Sequence, residues 1–288
     1  HICSFSLPYT TKRVTLPAKI EEATMKTAII QQELLWKDAE RNIQNADKAI
    51  GKGGCDLYVL PEMFATGFIV DDSLDRQTGI KALQWMRRKA IGINAAIAGS
   101  LAWVEDGKRF NRFFFAQPDG ELAFYDKRHL FAYGKEDQYY TAGTERTIVA
   151  YKGIRFLLQI CYDLRFPVFS RNRNDYDAII YVANWPASRS EVWKTLLRAR
   201  AMENQCYVVG TNRTGNDERC TYSGDSAIID PYGNTLAQCT PNREETAIAD
   251  ISMERLVHFR NKFQVLADAD SFELRPKTRQ YKPLYERT

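Results

Sequence analysis

From Met25 onward the chain alternates short apolar runs with amphipathic segments, which restricts it to an α/β fold with helices layered on sheets. Strands are expected over residues 26–31, 57–61, 95–104, 109–116, 155–160, 177–183, 207–211, 226–230 and 246–251, and helices over 38–52, 80–91, 168–173 and 190–204. In the last helix Val192, Thr195, Leu196, Ala199 and Met202 make an apolar stripe, with Ser190 as N-cap and Asn204 as the end. Residues 1–24 hold no period and are interrupted by Pro8 and Pro17. They read as an N-terminal extension, either an expression scar or an upstream leader, with Met25 a candidate natural start. The remainder, 25–288, is expected to be a single domain with a C-terminal tail from about residue 270.

Two stretches, 114–123 and 228–237, repeat one plan: an apolar strand, a Pro-containing turn closed by Gly, and a returning strand. Both read as β-hairpins. Each follows strand-helix units, so the chain is expected to form two similar halves whose sheets pack face to face with helices outside. Chance recurrence of Pro and Gly turns is the alternative.

Composition removes several function classes. The hydrophobic share of 44% supplies a sizeable core, and 26% charged residues argue against both disorder and an integral membrane protein. The net charge of +4 is too small, and its lysines and arginines too scattered, to hold nucleic acid or a membrane surface. No run of about 18 apolar residues exists, and no secretory signal is readable. The cysteines are widely spaced and lack a C-x-x-C pair, which fits free thiols in a reducing cytoplasm. With His1, His129 and His258 far apart, no metal site is expected, and no cofactor.

Three segments share one design, an apolar strand delivering one reactive side chain to its end. Residues 156–160 run into Cys161, near the start of a helix where unsatisfied N–H groups favour a thiolate; a small core cysteine is the alternative. Residues 124–126 run into Lys127, beside aromatic residues, where an ammonium can meet a developing oxyanion; a solvated loop lysine is the alternative. Residues 57–61 end at Pro61, which cannot continue a ladder and offers Glu62 at the carboxyl edge; a capping carboxylate is the alternative.

Taken together, Pro61-Glu62, the segment 126–131 around Lys127, and the segment 161–167 opening with Cys161 resemble the nitrilase superfamily of carbon-nitrogen hydrolases, in the family's order and over most of the chain from Met25 to about Phe272. The resemblance implies a four-layer αββα sandwich, a homodimer, and a Glu-Lys-Cys triad. Cys161 is then the nucleophile, Lys127 the oxyanion stabiliser and Glu62 the general base. It further implies that Glu136 positions substrate and lysine, that Asn184-Trp185-Pro186 wall the pocket, and that 198–204 belong to the family's long helix. The segments 161–172 and 131–136 resemble the bacterial ω-amidases, which release ammonia from 2-oxoglutaramate or 2-oxosuccinamate through a cysteine thioester. Carbamoyl hydrolases, aliphatic amidases and nitrile hydrolases are the alternatives within the superfamily.

The backbone N–H of Tyr162 is the expected second oxyanion donor. Arg165 is the expected partner of a substrate carboxylate, a surface or interface salt bridge being the alternative. Phe64, Phe131, Tyr133 and Trp185 are expected to line the pocket and exclude water, with core packing as the alternative. The partner is therefore a small-molecule amide, with no nucleic acid and no membrane. Two rival readings are a Cys-His hydrolase using His129 and a non-catalytic interaction protein on the same fold.

Overall fold

Continuous apolar runs make the central strands: residues Ala178–Ala183 are buried at every position, as strands covered on both faces must be. The computed structural model describes residues 23–274. Its first half holds β1 (Thr24–Gln31), α1 (Ala39–Ile50), β2 (Leu57–Val59), α2 (Arg76–Ile93), β3 (Ala96–Glu105), β4 (Lys108–Ala116), β5 (Leu122–Asp126) and the short α3 (Glu136–Tyr139). Next come β6 (Ile148–Tyr151), β7 (Ile154–Ile160), α4 (Pro167–Ser170), β8 (Ala178–Ala183), α5 (Ser190–Glu203), β9 (Tyr207–Asn212), β10 (Thr214–Asn216) and β11 (Thr221–Ser223). The described chain closes with β12 (Ala227–Ile229), β13 (Thr235–Gln238), β14 (Glu245–Ser252) and α6 (Met253–Lys262).

The strands form two six-stranded sheets, ordered β14-β1-β2-β3-β4-β5 and β6-β7-β8-β9-β12-β13. Read in that order, each sheet pairs its strands antiparallel, parallel, parallel, antiparallel and antiparallel. The two hairpin turns match in detail. Gln117 N–H bonds to the Glu121 carbonyl and Asp230 N–H to the Asn234 carbonyl, both at 2.9 Å. Gly120 and Gly233 close them at φ of +91° and +87°, a region that favours glycine. The halves are thus pseudo-symmetric.

Strand alternation assigns the layers. Met25 and Ile29 of β1, and Ile154, Phe156, Leu158 and Ile160 of β7, meet in the core between the sheets. Ala28 and Ile30 instead face the layer under α1 and α2, and Ile179 and Tyr181 face α5. The result is a four-layer αββα sandwich.

Several boundaries differ from the sequence reading. Ser190 does not cap α5, because a 3₁₀ turn over Ala187–Arg189 feeds directly into it, and no side chain caps that end. The buried stripe of α5 is Trp193, Leu197 and Ala201, whereas Thr195 and Met202 are exposed, so the expected face was turned by one residue. Gly210 explains the choice: a Cβ there would lie 2.6 Å from Leu197, so its absence lets β9 receive Leu197 and Trp193. The helix expected over 168–173 stops at Ser170, since Arg171 turns extended at ψ 127° and Asn172 bonds to Asn204. β6, β10, β11, α3 and α6 were not anticipated. Ala23 and Thr24 belong to the domain, through β1 and the Met253 N–H to Ala23 carbonyl bond at 2.9 Å. The rest of the expected extension, and the tail from 275, lie outside the described residues.

Candidate active site

The carboxyl ends of β2, β5, β7 and β8 meet at one end of the sandwich, where ligands gather in open α/β sheets. β2 stops and Pro61 leads to Glu62, while the Lys127 N–H extends the β5 ladder by bonding to the Asn111 carbonyl at 3.0 Å. β7 breaks at Cys161, whose φ of +44° is strained for a residue with a side chain and turns the strand into the 3₁₀ turn Cys161–Arg165. Asp163 holds this corner. Its carboxylate accepts from the Ile160 N–H at 3.0 Å, the Tyr125 hydroxyl at 2.8 Å and the His129 N–H at 3.0 Å. One buried side chain therefore ties the cysteine turn to the loop carrying Lys127.

Behind the cysteine lies a fully buried charge cluster. Lys127 Nζ stands 2.8 Å from Glu62 Oε1 and 2.9 Å from Glu136 Oε2. Asn111 bridges the same carboxylates, donating from Nδ2 to Glu62 Oε1 at 2.7 Å and Glu136 Oε1 at 2.9 Å. Ser100 Oγ fixes the amide's orientation by donating to Asn111 Oδ1 at 2.9 Å, which leaves both amide protons for the acids. Asn184 completes the shell, its backbone N–H reaching Glu62 Oε2 at 2.8 Å and its Nδ2 the Glu62 carbonyl at 2.7 Å. Glu136 also accepts from the Phe131 N–H at 2.7 Å.

The electrostatics follow from this packing. Burial alone would lower the Lys127 pKa, but the carboxylates of Glu136 and Glu62 outweigh it and hold the ammonium charged. Burial and the neighbouring Glu62 charge raise Glu136, against the pull of Lys127. Burial and the Glu62 carboxylate, within hydrogen-bonding reach, push the Cys161 thiol well above its ordinary value, with Lys127 opposing. A thiol raised in this way calls for a neighbouring base if the sulfur is to attack.

Glu62, Lys127 and Cys161 open on a cavity of about 670 Å³ that Phe131, Tyr133, Tyr162, Arg165, Asn184 and Trp185 also line. That volume fits a small molecule. Glu136 sits behind Lys127, outside the lining. Phe64 does not reach the cavity: the turn at Met63, φ +45°, sends it behind the sheet against Trp85, with ring centroids 5.7 Å apart. His129 is turned away too, its Nδ1 2.7 Å from Asp163 Oδ1 and its ring stacked on Phe166 at 3.9 Å. Among the described residues no imidazole lines the cavity with Cys161, which speaks against the Cys-His reading. Asn111, Asp163 and Arg189 were missed. A polar residue on the strand expected over 109–116 was the available signal for Asn111, since a buried amide needs partners. Among the described residues no group of three or more His, Cys, Asp or Glu side chains could hold a metal, and no helix is long and apolar enough to cross a membrane.

A sandwich that presents a thiol, an ammonium and a carboxylate at one cavity can perform acyl transfer through a covalent adduct, and the sequence profile of the carbon-nitrogen hydrolases matches residues 26–261. The chain belongs to the carbon-nitrogen hydrolase family, and is a hydrolase of carbon-nitrogen bonds other than peptide bonds. It is 45% identical to the omega-amidase YafV of Escherichia coli, over 87% of this chain and 98% of that protein. It is 33% identical to the 2-oxoglutaramate amidase of Bacillus subtilis, over 83% of this chain and 95% of that one. Among solved structures, a CN-hydrolase superfamily protein of Xanthomonas campestris with an arsenic adduct in its active site superposes with a TM-score of 0.81 at 39% identity, covering 87% of this chain and 99% of that one.

Proposed function

We propose that the protein is an ω-amidase, releasing ammonia from the terminal amide of 2-oxoglutaramate or 2-oxosuccinamate. The observation that carries the chemistry is the convergence of Cys161, Lys127 and Glu62 on one cavity with Glu136 behind them. The substrate class rests on the similarity to the omega-amidase YafV over nearly the whole chain.

Glu62 accepts the Cys161 proton, and the sulfur attacks the amide carbonyl. Lys127 donates one N–H between the two oxygens of Glu136 and a second to Glu62, which leaves the third ammonium N–H for the oxyanion. The Tyr162 N–H, in the first turn of a 3₁₀ segment where no intrahelical acceptor exists, supplies the second donor. Both act on charge that appears only as the tetrahedral species forms. Glu62 then returns its proton to nitrogen, ammonia leaves, and the acyl group remains on Cys161 as a thioester. Water deprotonated by Glu62 displaces the sulfur, giving the acid and the restored thiol. Glu136 acts by holding Lys127, and Arg165 meets the distal carboxylate of the substrate.

We also read the protein as a cytoplasmic homodimer. Its exposed Met202, Tyr232 and Phe263, with Phe259 tilted against Tyr232 at a ring-centroid distance of 4.0 Å, offer an apolar surface for a second copy. The five described cysteines are free thiols.

Ammonia release from 2-oxoglutaramate, 2-oxosuccinamate, an N-carbamoyl amino acid and an aliphatic nitrile tests the substrate class. The 2-oxo amides should give the highest kcat/KM. Preference for the carbamoyl compound or the nitrile would move the protein elsewhere in the superfamily.

A further inference from the structure

The wall of the cavity contributed by the second half carries the guanidinium groups of Arg165, Arg189 and the exposed Arg219, and the first two lie against aromatic rings. Arg165 leaves the turn after Cys161, its Cζ 4.9 Å from the Trp185 ring centroid. Arg189 ends the 3₁₀ turn Ala187–Arg189, its Cζ 5.6 Å from the Phe131 ring centroid. Trp185 links them, since its Nε1 donates to the Arg189 carbonyl at 2.8 Å while its ring lies under Arg165. A guanidinium against an aromatic face is shielded on that side and keeps its N–H edge for a planar anion.

Among the described residues neither Arg165 nor Arg189 has a carboxylate within ion-pairing distance. The acids lining the cavity are engaged elsewhere or exposed: Glu62 with Lys127, Asp71 with Lys37 at 2.9 Å, Asp217 with the Tyr222 hydroxyl at 2.8 Å, and Glu218 out on the surface. Arg165 and Arg189, each held on an aromatic face with no protein anion to neutralise it, call for an anionic ligand.

We propose that Arg189 joins Arg165 in a paired clamp for a 2-oxo carboxylate, with Arg189 reading the keto oxygen. This rests on the amidase reading of the same cavity. A 2-oxo acid presents three acceptor oxygens that can lie in one plane, more than a single guanidinium fork can satisfy. A 2-amino acid places an ammonium where the keto oxygen would be, so the clamp rejects the amide of an ordinary amino acid by like-charge repulsion.

The test compares wild type, Arg189→Ala and Arg189→Lys on 2-oxoglutaramate, glutaramate and pentanamide, with binding of 2-oxoglutarate and glutarate measured by calorimetry. In Arg189→Ala the ratio of kcat/KM for 2-oxoglutaramate to that for pentanamide should fall roughly 100-fold, mostly through KM, as expected for a lost charged hydrogen bond. Arg189→Lys should recover part of it. Binding of 2-oxoglutarate should weaken by a larger factor than that of glutarate. An unchanged ratio, or equal weakening of both diacids, would overturn the clamp. The wild-type substrate ranking separates the two claims: a wild type that prefers pentanamide refutes the ω-amidase reading, whereas the diacid affinities judge Arg189 whatever the ranking.

Discussion

The two halves share one strand order and one pairing pattern, yet they bring different chemistry to the cavity. The first half supplies the charges and the amide that bridges them, Glu62 after β2, Lys127 after β5, Glu136 on α3 and Asn111 on β4, all buried. The second supplies Cys161 after β7, Asn184 and Trp185 after β8, and the arginine-bearing wall. Topologically equivalent ends carry unlike groups: Glu62 follows β2 where Asn184 follows β8, and the two bond at 2.8 Å across the pseudo-axis. Lys127 follows β5 where Cys239 follows β13. A repeated fold thus places strand ends together, while the residue at each end decides whether it presents a carboxylate, an ammonium, a thiol or a wall.

Removing the thiol proposed as the second half's nucleophile should have the largest effect. Cys161→Ala should lower amide turnover by a factor on the order of 10⁶, the scale seen when a covalent nucleophile is deleted, while circular dichroism stays unchanged. Retained turnover would mean that the halves do not divide the chemistry in this way. Next comes the first half's cation. Lys127→Met removes the proposed oxyanion donor and leaves two buried carboxylates facing each other, so kcat should fall about 10³-fold and unfolding stability by ~3–5 kcal/mol in urea titration. A loss of activity with unaltered stability would contradict the buried ion cluster.

Asn111→Leu sharpens the contrast further, because it deletes donors to both acids without adding charge. Loss of the Asn111 donor disfavours the ionised form of Glu136, so its pKa rises further and the acid limb of the pH–rate profile should move to higher pH, with kcat down on the order of 10²-fold. An unmoved limb would show that the amide does not tune Glu136. The smallest effect on turnover is expected far from the cavity, at Asp177 in the second half. Burial alone would raise its pKa, but Arg155 at 2.8 Å and Arg260 at 2.9 Å outweigh it and hold the carboxyl below its ordinary value. A depressed folded pKa gives stability that is present above the unfolded pKa and lost as pH falls through the folded one. Asp177→Asn should therefore cost ~3 kcal/mol at neutral pH and flatten the acid fall-off, with kcat/KM for amides within about twofold of wild type.

The sequence announced the strand ends because each reactive residue is flanked by an apolar run on one side and a turn on the other, as at 156–161 and 57–62. The same rule failed for Phe64. Neighbouring Glu62 in sequence gave no warning that the left-handed turn at Met63 would carry it behind β3, where Gly99 leaves room for its ring. Asn111 was silent for a different reason: a strand records which face a residue occupies, and not which partner waits across the sandwich. Arg189 stayed hidden because its significance depends on Phe131 and Trp185, contributed by separate loops. The α5 stripe was misplaced by one position because helical spacing alone does not weigh the bulk of Trp193 against Val192. β10 and β11 are too short and polar to leave a period.

Acid-quench peptide mapping by mass spectrometry tests the division of labour most directly, since a thioester survives at low pH. During turnover of 2-oxoglutaramate, the mass of one acyl group should sit on the peptide containing Cys161, with ammonia released in equal amount in the first turnover. Rapid turnover with that peptide never acylated, or with the acyl group on another residue, would contradict the assignment of Cys161 as the group that the second half offers to the first half's acids.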